Sequence, residues 1–215
     1  MAADYTMRRV LPNGLTAIAR QQSGAPIGSF WVWYRVGGRN EVAGITGISH
    51  WVEHMQFKGT ADIAAGEIFR TITANGGALN GFTWLDYTAY YETLPIDRLQ
   101  VALDIESDRM VNSRFSADEV ASERTVIISE RQGNENNPGF LLSEEVAGVA
   151  FRAHPYGNGV IGHLSDLREI TRDDLYRHYR RYYAPNNAVV VFSGALDPAD
   201  ALERIERQFG AIPRG

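Results

Sequence analysis

The chain has 215 residues, 44% of them hydrophobic and 22% charged, so it can bury a substantial core without staples. Lys and Arg number 21 against 26 Asp and Glu, a formal charge of −5 with no strongly basic surface for nucleic acid. Cysteine is absent, which excludes disulfides and thiolate metal sites and leaves His, Asp and Glu as metal ligands.

In chain order, Pro12-Asn13-Gly14 is turn chemistry between two β-prone runs, 7–11 and 15–20. Residues 28–36 (GSFWVWYRV), rich in aromatic and β-branched side chains, predict a central strand ended by Gly37-Gly38. From Thr46 the spacing turns helical, with Ile48, Trp51, Val52 and Met55 as an apolar stripe that two histidines interrupt. Lys58-Gly59-Thr60 stops this helix, and residues 64–75 predict another, closed by Gly76-Gly77. Strands at 78–83 and 87–94 follow, joined at Trp84-Leu85-Asp86. Pro95 is read as opening a helix to about 112, and Ser116 with Glu119 forms a capping box for the next. Asn136-Asn137-Pro138 breaks the chain before a helix reaching about 151, and Thr171 with Asp174 caps one ending near Pro185. AVVVFS (188–193) reads as a buried strand, and Asp197-Pro198 opens a last helix to about 209. The pattern predicts a single α+β domain over 1–215, a mostly antiparallel sheet packed against several helices.

The N-terminus MAADYTMRRVLPNG lacks the form of a signal peptide, and no apolar window approaches membrane-spanning length. No membrane association is expected, and a cytoplasmic setting is the default. The basic runs RHYRRYY (177–183) and MRR (7–9) read as solvated faces, and no nucleic-acid partner is expected.

The strongest chemical signal is His50-Trp51-Val52-Glu53-His54. On a helix, residues four apart stand on one face with the residue at i+3 beside them. His50 and His54 can therefore present two imidazole nitrogens to one ion, with Glu53 next to it. This is the inverse of the commoner H-E-x-x-H zinc helix. A catalytic zinc takes three protein ligands, so a carboxylate or one of His154, His163 and His178 must supply the third. The bland reading, a pair of helix histidines and a surface glutamate, leaves two neighbouring imidazoles unsatisfied within an apolar stripe.

HWVEHMQFKGT (50–60) resembles the metal helix of the pitrilysin, insulin-degrading enzyme and mitochondrial processing peptidase family, the inverzincins. LPNGLTAIAR resembles that family's first hairpin, GGALNGFTWLDYTAYYETLP its active-site edge strand and the strand after it, and ERTVIISERQ the helix carrying the third ligand. HPYGNGVIG and YYAPNNAVVVFSG resemble its later landmarks. The resemblance implies half of a clamshell-type zinc endopeptidase: Glu130 completes the Zn2+ ligands, Glu53 is the general base, and Glu123, two helical turns before Glu130, assists. Otherwise Glu123 partners Arg124 or Arg131. It also implies that Ala78, Leu79 and Asn80 hold an extended peptide by strand addition; otherwise Asn80-Gly81 merely kinks the strand.

Phe82, Trp84 and Tyr90 either wall a side-chain pocket or belong to the core, and His154 reads as structural. Family members pair the metal-bearing half with a similar half that has lost its metal. The expected partners are therefore a peptide substrate and a second homologous domain or subunit, in a homo- or heterodimer. Rival readings are a non-catalytic peptide-binding or assembly subunit of this fold, and a structural zinc closed by four protein ligands.

Overall fold

The computed structural model describes residues 5–215. Among these, six strands form one sheet: β1 (Thr6–Val10), β2 (Thr16–Gln21), β3 (Ile27–Tyr34), β4 (Ala78–Thr83), β5 (Thr88–Pro95) and β6 (Ala188–Gly194). Their spatial order is β1-β2-β6-β3-β5-β4. β2 and β6 run parallel, and every other neighbouring pair is antiparallel. β3 is central, between β6 and β5, whereas β4 leaves one edge of the sheet unpaired.

Eight α-helices accompany the sheet in the described residues: α1 (Ile48–Met55), α2 (Glu67–Ala74), α3 (Gln100–Asn112), α4 (Ala117–Glu135), α5 (Pro138–Ala150), α6 (Leu164–Glu169), α7 (Arg172–Tyr182) and α8 (Pro198–Phe209). The molecule is therefore α+β, with a mostly antiparallel sheet. Strand alternation separates the two sheet faces. Phe30, Val32 and Tyr34 of β3, Val190 and Phe192 of β6, and Tyr90 and Leu94 of β5 are buried in the core. The intervening Trp31, Trp33, Val189, Val191 and Tyr91 are only half-buried. AVVVFS is thus buried on alternate residues rather than throughout.

Several boundaries differ from the sequence reading for local reasons. Pro95 does not open a helix: it still pairs with Ile27, and the Ile96 N–H donates to Pro26 O at 3.0 Å. A 3-10 turn at Ile96–Arg98 then leads into α3. α2 starts three residues later than expected, because Gly66 adopts φ 81 and leaves residues 64–66 in a turn. α6 escaped the reading because its six residues bury only Leu167 and so carry no apolar period.

One buried ion cluster ties the sheet to the helices. Arg109 of α3 donates to Glu92 Oε1 of β5 at 3.1 Å and to Glu106 Oε2 at 2.9 Å. Its guanidinium lies 4.3 Å from the Tyr90 ring centroid. Burial, followed by the neighbouring Glu106, pushes the Glu92 carboxyl well above the usual carboxylate range. Removing Arg109 would strand two acids in the core. Arg109→Met is expected to lower unfolding free energy by about 3–5 kcal/mol in urea titrations at pH 7. A loss below about 1 kcal/mol would mean that solvent screens the cluster.

Candidate metal centre

α1 is oriented by what it buries. Ile48, Trp51, Val52 and Met55 are all fully buried and fix the helix rotation. The histidines do not interrupt this stripe as expected; they lie on the flank beside it, half-buried. His50, Glu53 and His54 consequently line a cleft of about 690 Å³, together with Gly81, Phe82, Trp84, Glu130 and Phe140.

The start of α1 is clamped by two acids that the sequence reading passed over. Glu41 accepts the Gly47 N–H at 2.7 Å and the Ser49 N–H at 2.8 Å, satisfying donors that a helix start leaves open. Asp166 of α6 accepts the Thr46 N–H at 3.0 Å and the Thr46 hydroxyl at 2.7 Å. Gly47 has φ 85, and a Cβ there would stand 2.4 Å from Ile161 O, so both conformation and space require glycine.

Three side chains converge above the helix. His50 Nε2 and His54 Nε2 are 3.2 Å apart, and each lies 3.8 Å from Glu130 Oε2 of α4. Donors about 2.0–2.1 Å from one tetrahedral ion stand about 3.4 Å from one another, so this triangle fits zinc. Two imidazole lone pairs at such a distance repel unless a proton or a cation lies between them. His50, His54 and Glu130 are the group among the described residues whose donor atoms could hold an ion. His154, His163 and His178 are not part of it.

Glu123 of α4 supports the triangle from behind. Its Oε1 lies 2.8 Å from His54 Nδ1 and its Oε2 lies 2.5 Å from Lys58 Nζ. It does not turn to Arg124, which donates to the Leu167 and Ile170 carbonyls, or to Arg131, which pairs with Glu135 and Glu144. With Nδ1–H directed at Glu123, the His54 tautomer presents its Nε2 lone pair to the cleft. His50 Nδ1 is buried without a partner, so a carboxylate orients only one of the two rings.

Burial, then the neighbouring His54, pushes the His50 imidazole down to about 3. Burial also opposes charge on His54, but the Glu123 hydrogen bond and nearby carboxylates outweigh it and raise its pKa. For Glu123, burial is overcome by the His54 hydrogen bond and the adjacent Lys58 ammonium, which lower its pKa. The Glu53 carboxyl is raised by burial, with His54 and the Thr83 hydroxyl pulling the other way.

The sequence model of the insulinase peptidases (peptidase family M16) matches residues 16–163. The chain belongs to the insulinase family. A second model, described as the peptidase M16 inactive domain, matches residues 169–215. An uncharacterized zinc protease of Mycobacterium leprae (strain TN) is 32% identical over 95% of this chain and 46% of its own length. The probable mitochondrial-processing peptidase subunit beta of Arabidopsis thaliana is 29% identical over 97% of this chain and 39% of its own. A protease from Helicobacter pylori superposes with a TM-score of 0.95 at 29% identity, over 98% of this chain and 51% of that one. The chain spans about half the length of the curated relatives it matches. A peptidase M16 inactive domain from Pseudomonas fluorescens shares the fold at a TM-score of 0.90 and 20% identity.

The remaining expected site residues lie on or near β4. Ala78 and Asn80 are exposed and Leu79 is half-buried along the unpaired sheet edge. Asn80 Oδ1 accepts its neighbour Gly81 N–H at 2.9 Å, and Asn80 and Gly81 both line the cleft. Phe82 and Trp84 also line the cleft, whereas Tyr90 is fully buried. His154 caps the 3-10 turn Pro155–Gly157. Among the described residues no helix is long and apolar enough to cross a membrane.

His178 of α7 is buried against α1, with Nε2 3.1 Å from Ser49 Oγ. Burial, then Arg181, holds its pKa down to about 4 from 6.5. Its folded pKa is depressed, so the unfolded chain takes up the proton first as pH falls. The stability this site contributes is complete above about 6.5 and declines toward about 4, by about 1.4 kcal/mol per pH unit. Urea unfolding of metal-free protein at pH 7 and pH 5 should show this decline, and His178→Gln should make it shallower. Equal declines in both proteins would exclude His178 as a source.

Proposed function

We propose that this chain is the metal-bearing α+β domain, over residues 1–215, of a zinc-dependent endopeptidase that cleaves peptides bound in extended form. His50, His54 and Glu130 hold the metal, Glu53 is the general base and Glu123 orients His54. The carrying observation is the convergence of two Nε2 atoms and one carboxylate oxygen, with spacings of 3.2, 3.8 and 3.8 Å, in a cleft that Glu53 also lines. Three protein donors leave the coordination open, which suits catalysis rather than a closed structural site.

When bound, the metal supplies Lewis-acid polarisation of a scissile carbonyl and acidification of water. The chain's own side chains do the rest. His50, held neutral by burial, has a nitrogen lone pair to offer, and His54, held in one tautomer by Glu123, directs its Nε2 lone pair at the site. Glu53 stands one helical position from His54, is not part of the triangle and is 7% exposed. A carboxylate there can accept the proton of the attacking water and deliver it to the leaving amine nitrogen. The free edge of β4 offers main-chain donors and acceptors to an extended peptide without demanding one sequence.

A second homologous domain or subunit completes the peptidase in this reading. Support comes from relatives about twice as long as the region matched, and from the first half of the periplasmic protease PqqL of Escherichia coli. This chain superposes on 46% of that structure, over 97% of its own length, with a TM-score of 0.89 at 25% identity.

In the full-length protein, chelation should abolish cleavage of a fluorogenic peptide and added zinc should restore it. Glu53→Gln should keep its zinc by atomic absorption and lose about 10²–10⁴-fold in turnover. Cleavage by that variant at the wild-type rate would remove Glu53 from its role. Glu123→Gln should weaken zinc about 10–100-fold in competition with a chromophoric chelator. Unchanged affinity would reduce Glu123 to a partner of Lys58.

A further inference from the structure

Glu53 is buried at the back of the cleft, where two features of β4 confine it. Thr83, the last residue of the strand, donates its hydroxyl to Glu53 Oε2 at 3.1 Å. Gly81, two residues earlier on the same face, passes so close that a Cβ on it would stand 3.1 Å from Glu53 Oε1. One carboxylate oxygen is thus held by a hydrogen bond, and the other lies beneath a stretch of strand without a side chain.

The neighbouring hydroxyl decides where the Thr83 proton goes. Thr83 pairs across the sheet with Thr88 of β5, and the two hydroxyl oxygens are 3.3 Å apart. Thr88 donates to the main-chain carbonyl of Val36 at 2.9 Å, and a carbonyl can only accept. With the Thr88 proton committed, the single Thr83 proton has two acceptors in reach, a neutral hydroxyl and a carboxylate. A charge-assisted bond to the carboxylate is the stronger. Both threonines are buried, and β-branching restricts their side-chain rotation. With both protons so committed, no hydrogen bond joins the two hydroxyls; Thr83 is fixed by its strand pairing with Thr88, and its own proton is left to Glu53.

We infer that Thr83 is the positioning residue for the general base: its hydroxyl holds one Glu53 oxygen, leaving the other to face the cleft. This rests on the peptidase reading and deepens it. It also assigns β4 a second task, since the strand whose free edge would hold the peptide also fixes the base.

The test compares Thr83→Val with Thr83→Ser in the full-length protein, alongside Glu53→Gln as reference. Valine keeps the shape and branching and removes the hydroxyl; serine keeps the hydroxyl. Thr83→Val should lower kcat about ten- to a hundred-fold, the factor carried by a hydrogen bond to a charged group. KM, zinc content and melting temperature should stay near wild type. Thr83→Ser should return kcat to within about threefold, a rescue that a packing role would not produce. A Thr83→Val enzyme within twofold of wild-type kcat, or a serine variant as slow as the valine one, would overturn the inference while leaving the peptidase reading intact. If Glu53→Gln turned over normally, or the wild type were insensitive to chelation, the peptidase reading itself would fall and take this inference with it.

Discussion

The rotation of α1 about its own axis is the constraint on which the site depends. Ile48, Trp51, Val52 and Met55 have no exposed surface, and burying four such side chains together leaves the helix one orientation. That orientation turns His50, Glu53 and His54 toward the cleft as a set. The start of the helix is fixed separately: Glu41 ties the backbone N–H groups of Gly47 and Ser49, and Asp166 ties Thr46 from a helix more than a hundred residues away. Axial rotation is set by hydrophobic burial and axial position by acidic side chains that cap the helix start.

Charge is distributed around the centre with little left uncompensated. Glu123 sits between His54 and Lys58, which stabilises its ionised form and fixes the histidine tautomer in one contact. Glu130 is more open, 43% exposed at its side chain, and approaches both imidazoles from α4. Glu123 and Glu130 share one helix two turns apart, so a single rigid element supplies both carboxylates to the histidine pair. Deeper in the molecule, Arg109 balances Glu92 and Glu106 and fastens β5 to α3 beneath the cleft.

In the proposed peptidase, β4 joins recognition to chemistry. It lies at the sheet edge next to α1, so its outer backbone is available for pairing while its inner face carries Gly81 and Thr83 over Glu53. The opposite wall of the cleft comes from α5 and the segment after it, with Phe140, Ala147, Tyr156 and Val160 lining it. α5 contains no buried residue and is held through Arg131, which pairs with Glu144 and stacks on Phe140. One wall of the cleft is therefore core-anchored and the other is surface-held.

The sequence alone determined that His50, Glu53 and His54 share one side of a helix, because i, i+3 and i+4 spacing is a local property of any α-helix and needs no partner. It likewise determined β4, β6 and α5 closely, where Gly, Pro and Asn punctuation marks the ends. Glu130 and Glu123 were legible only through family resemblance: no local rule connects a carboxylate on α4 with a histidine on α1. Tertiary structure decided which flank of the apolar stripe the histidines occupy, since a helical period of 3.6 leaves adjacent faces indistinct until the core is packed. It also decided the parts of Glu41, Asp166, Lys58 and Thr83, whose partners are reached through loop return or sheet pairing. Such contacts leave no periodic trace along the chain, which is why they emerge only once the strands and helices are in place.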